Sequence, residues 1–219
     1  TPFLMAYVME VGDRGYPVLH PMALQYPNDA EGRSLTGQFL VGDELLVAPV
    51  VDDGNRRRVY FPMGNWTDLR TNRVYPGRQW AEVEAADDAV PLFLRNGSIL
   101  PLDNETAGGP MELHYTPRLA AEFFLYEPDL LDYSQLHASP ALDRMRLEID
   151  AKKARVYEWV VHHLPAVREV RQEETPCQEV AGRAALGPGK WYYDRERGNL
   201  HVVVQTGAGQ TRVTHIEFQ

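Results

Sequence analysis

The spacing of apolar positions along this chain changes at Pro17. Before it, Phe3, Leu4, Tyr7, Val8 and Val11 fall on one helical face. Gly12 and Gly15 follow as stop signals, so a short helix with a strongly apolar stripe is predicted over residues 3–11. After Pro17 the period drops to two. Short β-branched or aromatic runs alternate with clusters of Gly, Pro, Asn and Asp. Strands are predicted over 45–51, 57–61, 79–84, 92–95, 98–100, 111–115 and 121–126, then over 143–150, 154–161, 167–171, 199–205 and 211–218. Turn signals between them include Asp52-Asp-Gly-Asn55, Pro76-Gly77, Asn96-Gly97 and Arg197-Gly-Asn199.

This punctuation predicts a mainly β fold of two consecutive antiparallel β-sandwiches preceded by one short helix. The polar, Gly-rich stretch Asp103–Pro110 marks the boundary, giving segments 1–37, 38–102 and 103–219. Leu45, Leu46, Val47, Val50 and Val51 form a continuous apolar run, the pattern of a strand covered on both faces. Phe93, Leu94, Ile99 and Leu100 flank Asn96-Gly97 as a predicted hairpin. Gly42, between Val41 and Asp43, reads as a turn or close-approach residue.

Composition narrows the function classes. The chain has 219 residues, 44% of them hydrophobic, and a net charge of -9 from 22 basic and 31 acidic side chains. That charge disfavours nucleic acid and anionic membrane as partners. No apolar run reaches membrane-spanning length and no signal-peptide pattern opens the chain. Its start at Thr1 rather than Met reads as an excised piece. Cys177 is the single cysteine, which excludes an intrachain disulfide and a multi-cysteine zinc site. Nothing in the sequence fixes a compartment.

The candidate chemistry is sparse. Asp52–Asp53 and Asp87–Asp88 are adjacent pairs, but neighbours on a strand point to opposite faces, and Asp favours turns. Glu127, Asp129 and Asp132 cluster after a strand and invite a calcium reading. Pro128 and the lack of a Gly-centred loop favour a solvated loop instead. His162 and His163 are consecutive, whereas metal-binding histidines on one strand face would sit two apart. Trp66, Trp80, Trp159 and Trp191 lie in or beside predicted strands, so packing is preferred to sugar stacking for all four. No nucleophile elbow, phosphate loop or dinucleotide fingerprint is present. This reading yields no catalytic, cofactor-binding or metal-binding residue and no cofactor.

One set of motifs goes further in its order and spacing. Gly15-Tyr-Pro-Val-Leu-His-Pro-Met22 and Gln25-Tyr-Pro-Asn-Asp29 precede Gln38-Phe-Leu-Val-Gly-Asp-Glu-Leu-Leu-Val-Ala-Pro-Val50. Arg58-Val-Tyr-Phe-Pro62, Asn65-Trp-Thr-Asp68 and Pro91-Leu-Phe-Leu-Arg-Asn-Gly-Ser-Ile-Leu-Pro101 follow. Together they resemble glycoside hydrolase family 31, the α-glucosidase and α-xylosidase family, strongly through Leu102 and more loosely through Glu122-Phe-Phe-Leu-Tyr-Glu127 and Gly189-Lys-Trp-Tyr-Tyr-Asp194. His20 stands where that family usually carries arginine. Pro128-Asp-Leu130 stands where the family reads Asp-Asp-Gly.

The resemblance implies that 1–37 is the end of a (β/α)8 barrel, with its last helix, and that 38–102 and 103–219 are the proximal and distal β-sandwiches. It places the family's two catalytic aspartates after barrel strands four and six, before Thr1. The implied role is the non-catalytic C-terminal part of a retaining α-glycosidase. Its partners would be the upstream barrel of the same polypeptide and, in the full-length enzyme, an α-linked oligosaccharide. The alternative is a carbohydrate-binding or interaction β-sandwich module with no enzymatic role.

Overall fold

The computed structural model describes residues 2–50, 55–85, 90–104 and 108–219, with every side chain among them except Asp13 and Arg14. The predicted turn at Asp52–Asp53, the Asp87–Asp88 pair, Val51 and part of the Asp103–Pro110 stretch lie outside the described residues. The chain divides into two compact units: a first of Tyr7–Asn96, and a second of Gly97–Gln219 together with Thr1–Ala6.

Helix α1 (Pro2–Arg14) opens the chain. The first unit continues with β1 (Leu19–Pro21), α2 (Met22–Gln25), β2 (Phe39–Val41), β3 (Leu45–Val47), β4 (Arg56–Phe61), β5 (Asn65–Asp68), β6 (Val74–Pro76), β7 (Gln79–Glu84) and β8 (Leu92–Arg95). Six of these strands form an antiparallel sheet in the order β1-β2-β3-β8-β5-β6, and β4 pairs with β7 alone. Gln38 ties the two sheets together. Its amide donates to the Tyr60 carbonyl at 2.7 Å and accepts from the Tyr60 N–H at 3.0 Å, a side chain completing a backbone ladder. The core is aromatic. Phe61 stacks on Tyr75 with centroids 4.6 Å apart, Phe93 meets both edge-on, and Trp66 is fully buried with its indole N–H on the Pro62 carbonyl.

The second unit contains β9 (Ile99–Leu102), β10 (Met111–Tyr115), β11 (Ala121–Glu127), β12 (Asp132–Pro140), β13 (Arg144–Ala151) and β14 (Arg155–Val161). Then come β15 (Val167–Gln172), β16 (Thr175–Pro176), β17 (Gln178–Glu179), β18 (Lys190–Asp194), β19 (Asn199–Thr206) and β20 (Gln210–Phe218). Two six-stranded sheets result, β17-β18-β19-β14-β10-β9 and β11-β12-β13-β20-β15-β16. The second is antiparallel throughout. The first includes two parallel pairs, β10 with β14 and β17 with β18. Burial alternates along β10, β12 and β13, the signature of a strand with one face inward. In contrast, β14 and β19 are buried nearly throughout, because their outer faces are covered as well.

Three sequence expectations are corrected. β3 ends at Val47 rather than running to 51, because Pro49 has no N–H to continue the ladder. Its three residues are all buried. β8 and β9 do not form a hairpin: β8 pairs with β3 and β5, whereas β9 pairs with β10. The Asn96-Gly97 turn is present, with Gly97 at φ +91°, but it passes the chain from one unit to the other. β12 was not predicted. Its inward positions are Ser134, Leu136 and Ala138, and a hydroxyl and a methyl conceal the alternation.

Candidate functional site

Helix α1 is apolar on two sides. Phe3 and Ala6 are buried, and the Phe3 ring stacks on Phe123 at 5.8 Å. Leu4, Met5, Val8, Met9 and Val11 point outward and are between 36% and 52% exposed. The single stripe expected from the sequence therefore splits. Phe3 and Tyr7 turn inward, and Leu4, Val8 and Val11 face solvent. Leu19 of β1 and Leu24 of α2 are exposed as well.

Tyr7 docks the helix within the first unit. Its hydroxyl donates to Glu44 Oε2 at 2.5 Å and accepts the Asp43 backbone N–H at 3.1 Å. The ring fills the notch left by Gly42, which has φ +58°, and a Cβ there would overlap the ring. Gly42 is thus both a turn residue and a close-approach residue.

The acids singled out after β11 serve structure. Glu127 is buried. Its carboxylate takes a bidentate pair from Arg155 at 3.0 and 2.8 Å and a hydroxyl from Ser134 at 2.8 Å. The solvated-loop reading therefore fails for Glu127. Asp129 is exposed and pairs with Lys153, while Asp132 begins β12 with Lys152 4.0 Å away. Each acid faces its own cation, and the three do not converge. Among the described residues no three His, Cys, Asp or Glu side chains form a metal-holding group.

His20 is buried, with Nδ1 3.2 Å from the Pro17 carbonyl and its ring edge-on to Tyr16. Trp66, Trp159 and Trp191 are buried. Trp80 is half-buried, with Tyr60 tilted against it and the Arg58 guanidinium over its ring at 4.8 Å.

The densest polar cluster escaped the sequence reading. On the outer face of the β10–β14–β19 layer, Glu112 and Glu158 stand in register on neighbouring strands. Arg183, from a 3-10 turn over Arg183–Ala185, bridges them, 2.6 Å from Glu112 and 3.0 Å from Glu158. His201 Nδ1 lies 2.8 Å from Glu158, and His114 Nε2 lies 3.0 Å from Glu112. His162 joins through a 3.1 Å contact with His114. The His114 hydrogen bond holds the Glu112 carboxyl down at about 2, with Arg183 adding to it against the cost of burial. Burial raises Glu158, but His201 and Arg183 outweigh it and the net shift is downward. Burial, with His114 and His163 nearby, keeps His162 neutral. One signal could have found this cluster: Glu112 and His114 sit two apart on a predicted strand and share a face. Asn104, Glu112, Glu158, Arg183, Leu186 and Val203 are among the residues around a cleft of about 450 Å³ here. A cleft of about 470 Å³ in the first unit runs past Tyr26, Asp29, Tyr60 and Arg78. There the Tyr60 hydroxyl donates to both oxygens of Asp29, and its proton is held up to about 12, chiefly by burial.

The description "Glycosyl hydrolase family 31 C-terminal domain" matches residues 15–100. The likeness over these residues is to the C-terminal domain of glycoside hydrolase family 31. It is 33% identical over 136 residues to alpha-glucosidase 2 of Bacillus thermoamyloliquefaciens, a match covering 58% of this chain and 17% of the relative. It is 35% identical over 103 residues to an isomaltosyltransferase of Sporosarcina globispora, covering 47% of this chain and 9% of that protein. The family 31 dextranase of Flavobacterium johnsoniae, solved with glucose, superposes with a TM-score of 0.85 at 25% identity over 99% of this chain and 31% of its own. A cycloalternan-forming enzyme of Listeria monocytogenes shares the fold over 99% of this chain, with a TM-score of 0.86.

The matches thus span less than a fifth of the length of these two sequence relatives. The family 31 sequence match falls on the first unit and ends just inside the second. The structural likeness extends to both. Glu112 and Glu158 converge, and the Arg183 guanidinium lies between them.

Proposed function

We propose that this chain is the non-catalytic C-terminal part of a retaining α-glycosidase acting on α-linked oligosaccharides. In this reading it stabilises the catalytic barrel upstream in the same polypeptide and helps shape the substrate entrance. Residues 1–37 would be the end of that barrel, 38–102 the proximal sandwich and 103–219 the distal one. The observation that carries the reading is the second apolar side of α1. Phe3 and Ala6 already face this chain, so Leu4, Met5, Val8, Met9 and Val11 await another surface. Covering each would contribute on the order of 1 kcal/mol. A self-contained sugar-binding sandwich has no use for such a helix.

The test compares the intact full-length enzyme with one truncated before Gly37. Loss of soluble, active barrel is expected. A soluble truncated barrel with undiminished turnover of an aryl α-glucoside would overturn the reading.

A further inference from the structure

Strand register builds the floor of the cleft of about 450 Å³ in the second unit. Glu158 on β14 stands between Glu112 on β10 and Val203 on β19, and Val156 lies two residues before it on the same face. Leu186 and Pro188, from the segment that follows Arg183, add apolar surface. Two polar groups on this lining keep unused bonding capacity. Arg183 directs Nε to Glu158 Oε1 at 3.0 Å and Nη2 to Glu112 Oε1 at 2.6 Å, and its Nη1 has no acceptor among the described residues. His201 Nδ1 also meets Glu158 at Oε1, 2.8 Å away, so Glu158 Oε2 has no partner among them either. The Glu158 side chain is only 5% exposed, and Oε2 keeps contact with solvent.

We infer that this cleft binds neighbouring hydroxyls of a neutral sugar ring, with Glu158 Oε2 accepting from one and Arg183 Nη1 donating to the next. A free acceptor beside a free donor matches a vicinal diol, because each hydroxyl can both donate and accept. Both protein groups are charged, so each bond is charge-assisted. Val156, Leu186, Pro188 and Val203 supply apolar surface for the C–H face of the ring, and the volume is that of a small-molecule site.

The charge balance favours a neutral ligand. Glu112 is held at about 2, first by the His114 hydrogen bond. At Glu158 burial pushes upward, but His201 and Arg183 bring the net shift down. Two carboxylates therefore face one guanidinium at neutral pH, and the excess negative charge repels an anion. A metal ion needs three or more converging ligands, and the described residues gather no such set. The site lies within the second unit and stands whether or not a barrel precedes this chain. Only the choice of an α-linked probe rests on the α-glycosidase reading, and a β-linked probe keeps the two apart.

Amide chemical shifts of this chain, titrated with maltotriose and separately with cellotriose to about 50 mM, test the site. Saturating shifts are expected at 157–159, 183–188 and 202–204, with a Kd on the order of 1–10 mM. Glu158→Gln turns the free acceptor into a donor and keeps an oxygen for Arg183 and His201. It should weaken binding by about tenfold or more. Arg183→Met removes the donor, retains an aliphatic stem and should weaken binding by about as much. If Arg183→Met displaces the 183–188 amides before sugar is added, Glu158→Gln alone decides. Arg56→Met, in the other unit, should bind as the wild type does. Binding of cellotriose alone, with the same dependence on Glu158 and Arg183, supports the site and counts against the α-glycosidase reading. The inference fails if neither sugar saturates, if the shifts fall elsewhere, or if Glu158→Gln binds with wild-type affinity.

Discussion

The two units reach stability by different means. In the first, most strands are three or four residues long, and the backbone approaches itself closely. Gly42 admits the Tyr7 ring, and a Cβ on Gly77 would overlap the carbonyl oxygens of Pro62 and Gly64. An aromatic cluster of Phe61, Trp66, Tyr75 and Phe93 fills the centre. In the second, β12, β13, β19 and β20 run eight or nine residues in long ladders. Its special contacts are charged: Glu127 with Arg155, and Glu112 and Glu158 with Arg183. Short strands leave little hydrogen bonding to spare, so fit must come from particular residues at particular places. Long ladders tolerate substitution, and only a buried charge there demands a fixed partner. This matches where the family 31 signature lies, on residues 15–100.

The largest effect expected from this contrast is at glycine. Gly77→Val sets a branched side chain against backbone atoms that cannot move aside, and a loss of about 4 kcal/mol or more is expected. Gly189 in the second unit has φ +74° with nothing within 4 Å of an added Cβ, so Gly189→Val carries backbone strain alone, about 1–3 kcal/mol. Thermal or urea melts decide the order. A larger loss at Gly189 would break the comparison. Gly97 separates the units less sharply: it shares a positive φ with Gly189, and its Cβ would meet Leu119 at an ordinary 3.6 Å.

The same contrast explains what the sequence made legible. The first unit was recognisable by motif, but its short strands were hard to place. β1, β2, β5 and β6 were not predicted, because three or four residues cannot display a period. The second unit lacked a strong motif, yet β10, β11, β13, β14, β15, β19 and β20 were read to within a residue or two from alternation. Its polar cluster stayed hidden because Glu112, Glu158, Arg183 and His201 meet only through strand order. The parallel β10–β14 pairing brings Glu112 beside Glu158, and no local pattern announces a parallel pair. The splitting of the α1 stripe was equally illegible. Periodicity reports that residues are apolar on one side, but not which of two surfaces takes each edge.

The next effect in size sharpens the charge half of the comparison. Arg155→Met leaves the buried Glu127 carboxylate with the Ser134 hydroxyl but no cation, at an expected cost of about 3–5 kcal/mol. In the first unit Arg56 pairs with Glu82 and Glu84, all well exposed, and Arg56→Met should cost about 0–1 kcal/mol. Restoring a neutral pair with Glu127→Gln in the Arg155→Met background should recover part of the loss. Urea midpoints measure all three. Equal costs at Arg155 and Arg56 would mean that burial of the second unit's ion pair contributes nothing special.

The smallest effect is a change of slope, and it sets one acid of each unit against the other. Glu112 is held at about 2 against a usual 4.5, first by the His114 hydrogen bond and then by Arg183. A lowered carboxyl contributes stability above its unfolded value, and that contribution drains as pH falls from about 4.5 towards about 2. Glu44 carries the opposite sign, raised to about 7 chiefly by burial. Glu112→Gln should therefore flatten the acid limb of the stability curve and leave the neutral limb alone. Glu44→Gln should do the reverse. The Arg183→Gln variant separates the two supports of Glu112: the acid limb should shrink, and what survives is the part held by His114. Melting midpoints of the three variants across about pH 2 to about pH 8 carry the test. If Glu112→Gln keeps the full acid slope, the cluster on β10 and β14 is a packing arrangement whose charges do not couple to folding.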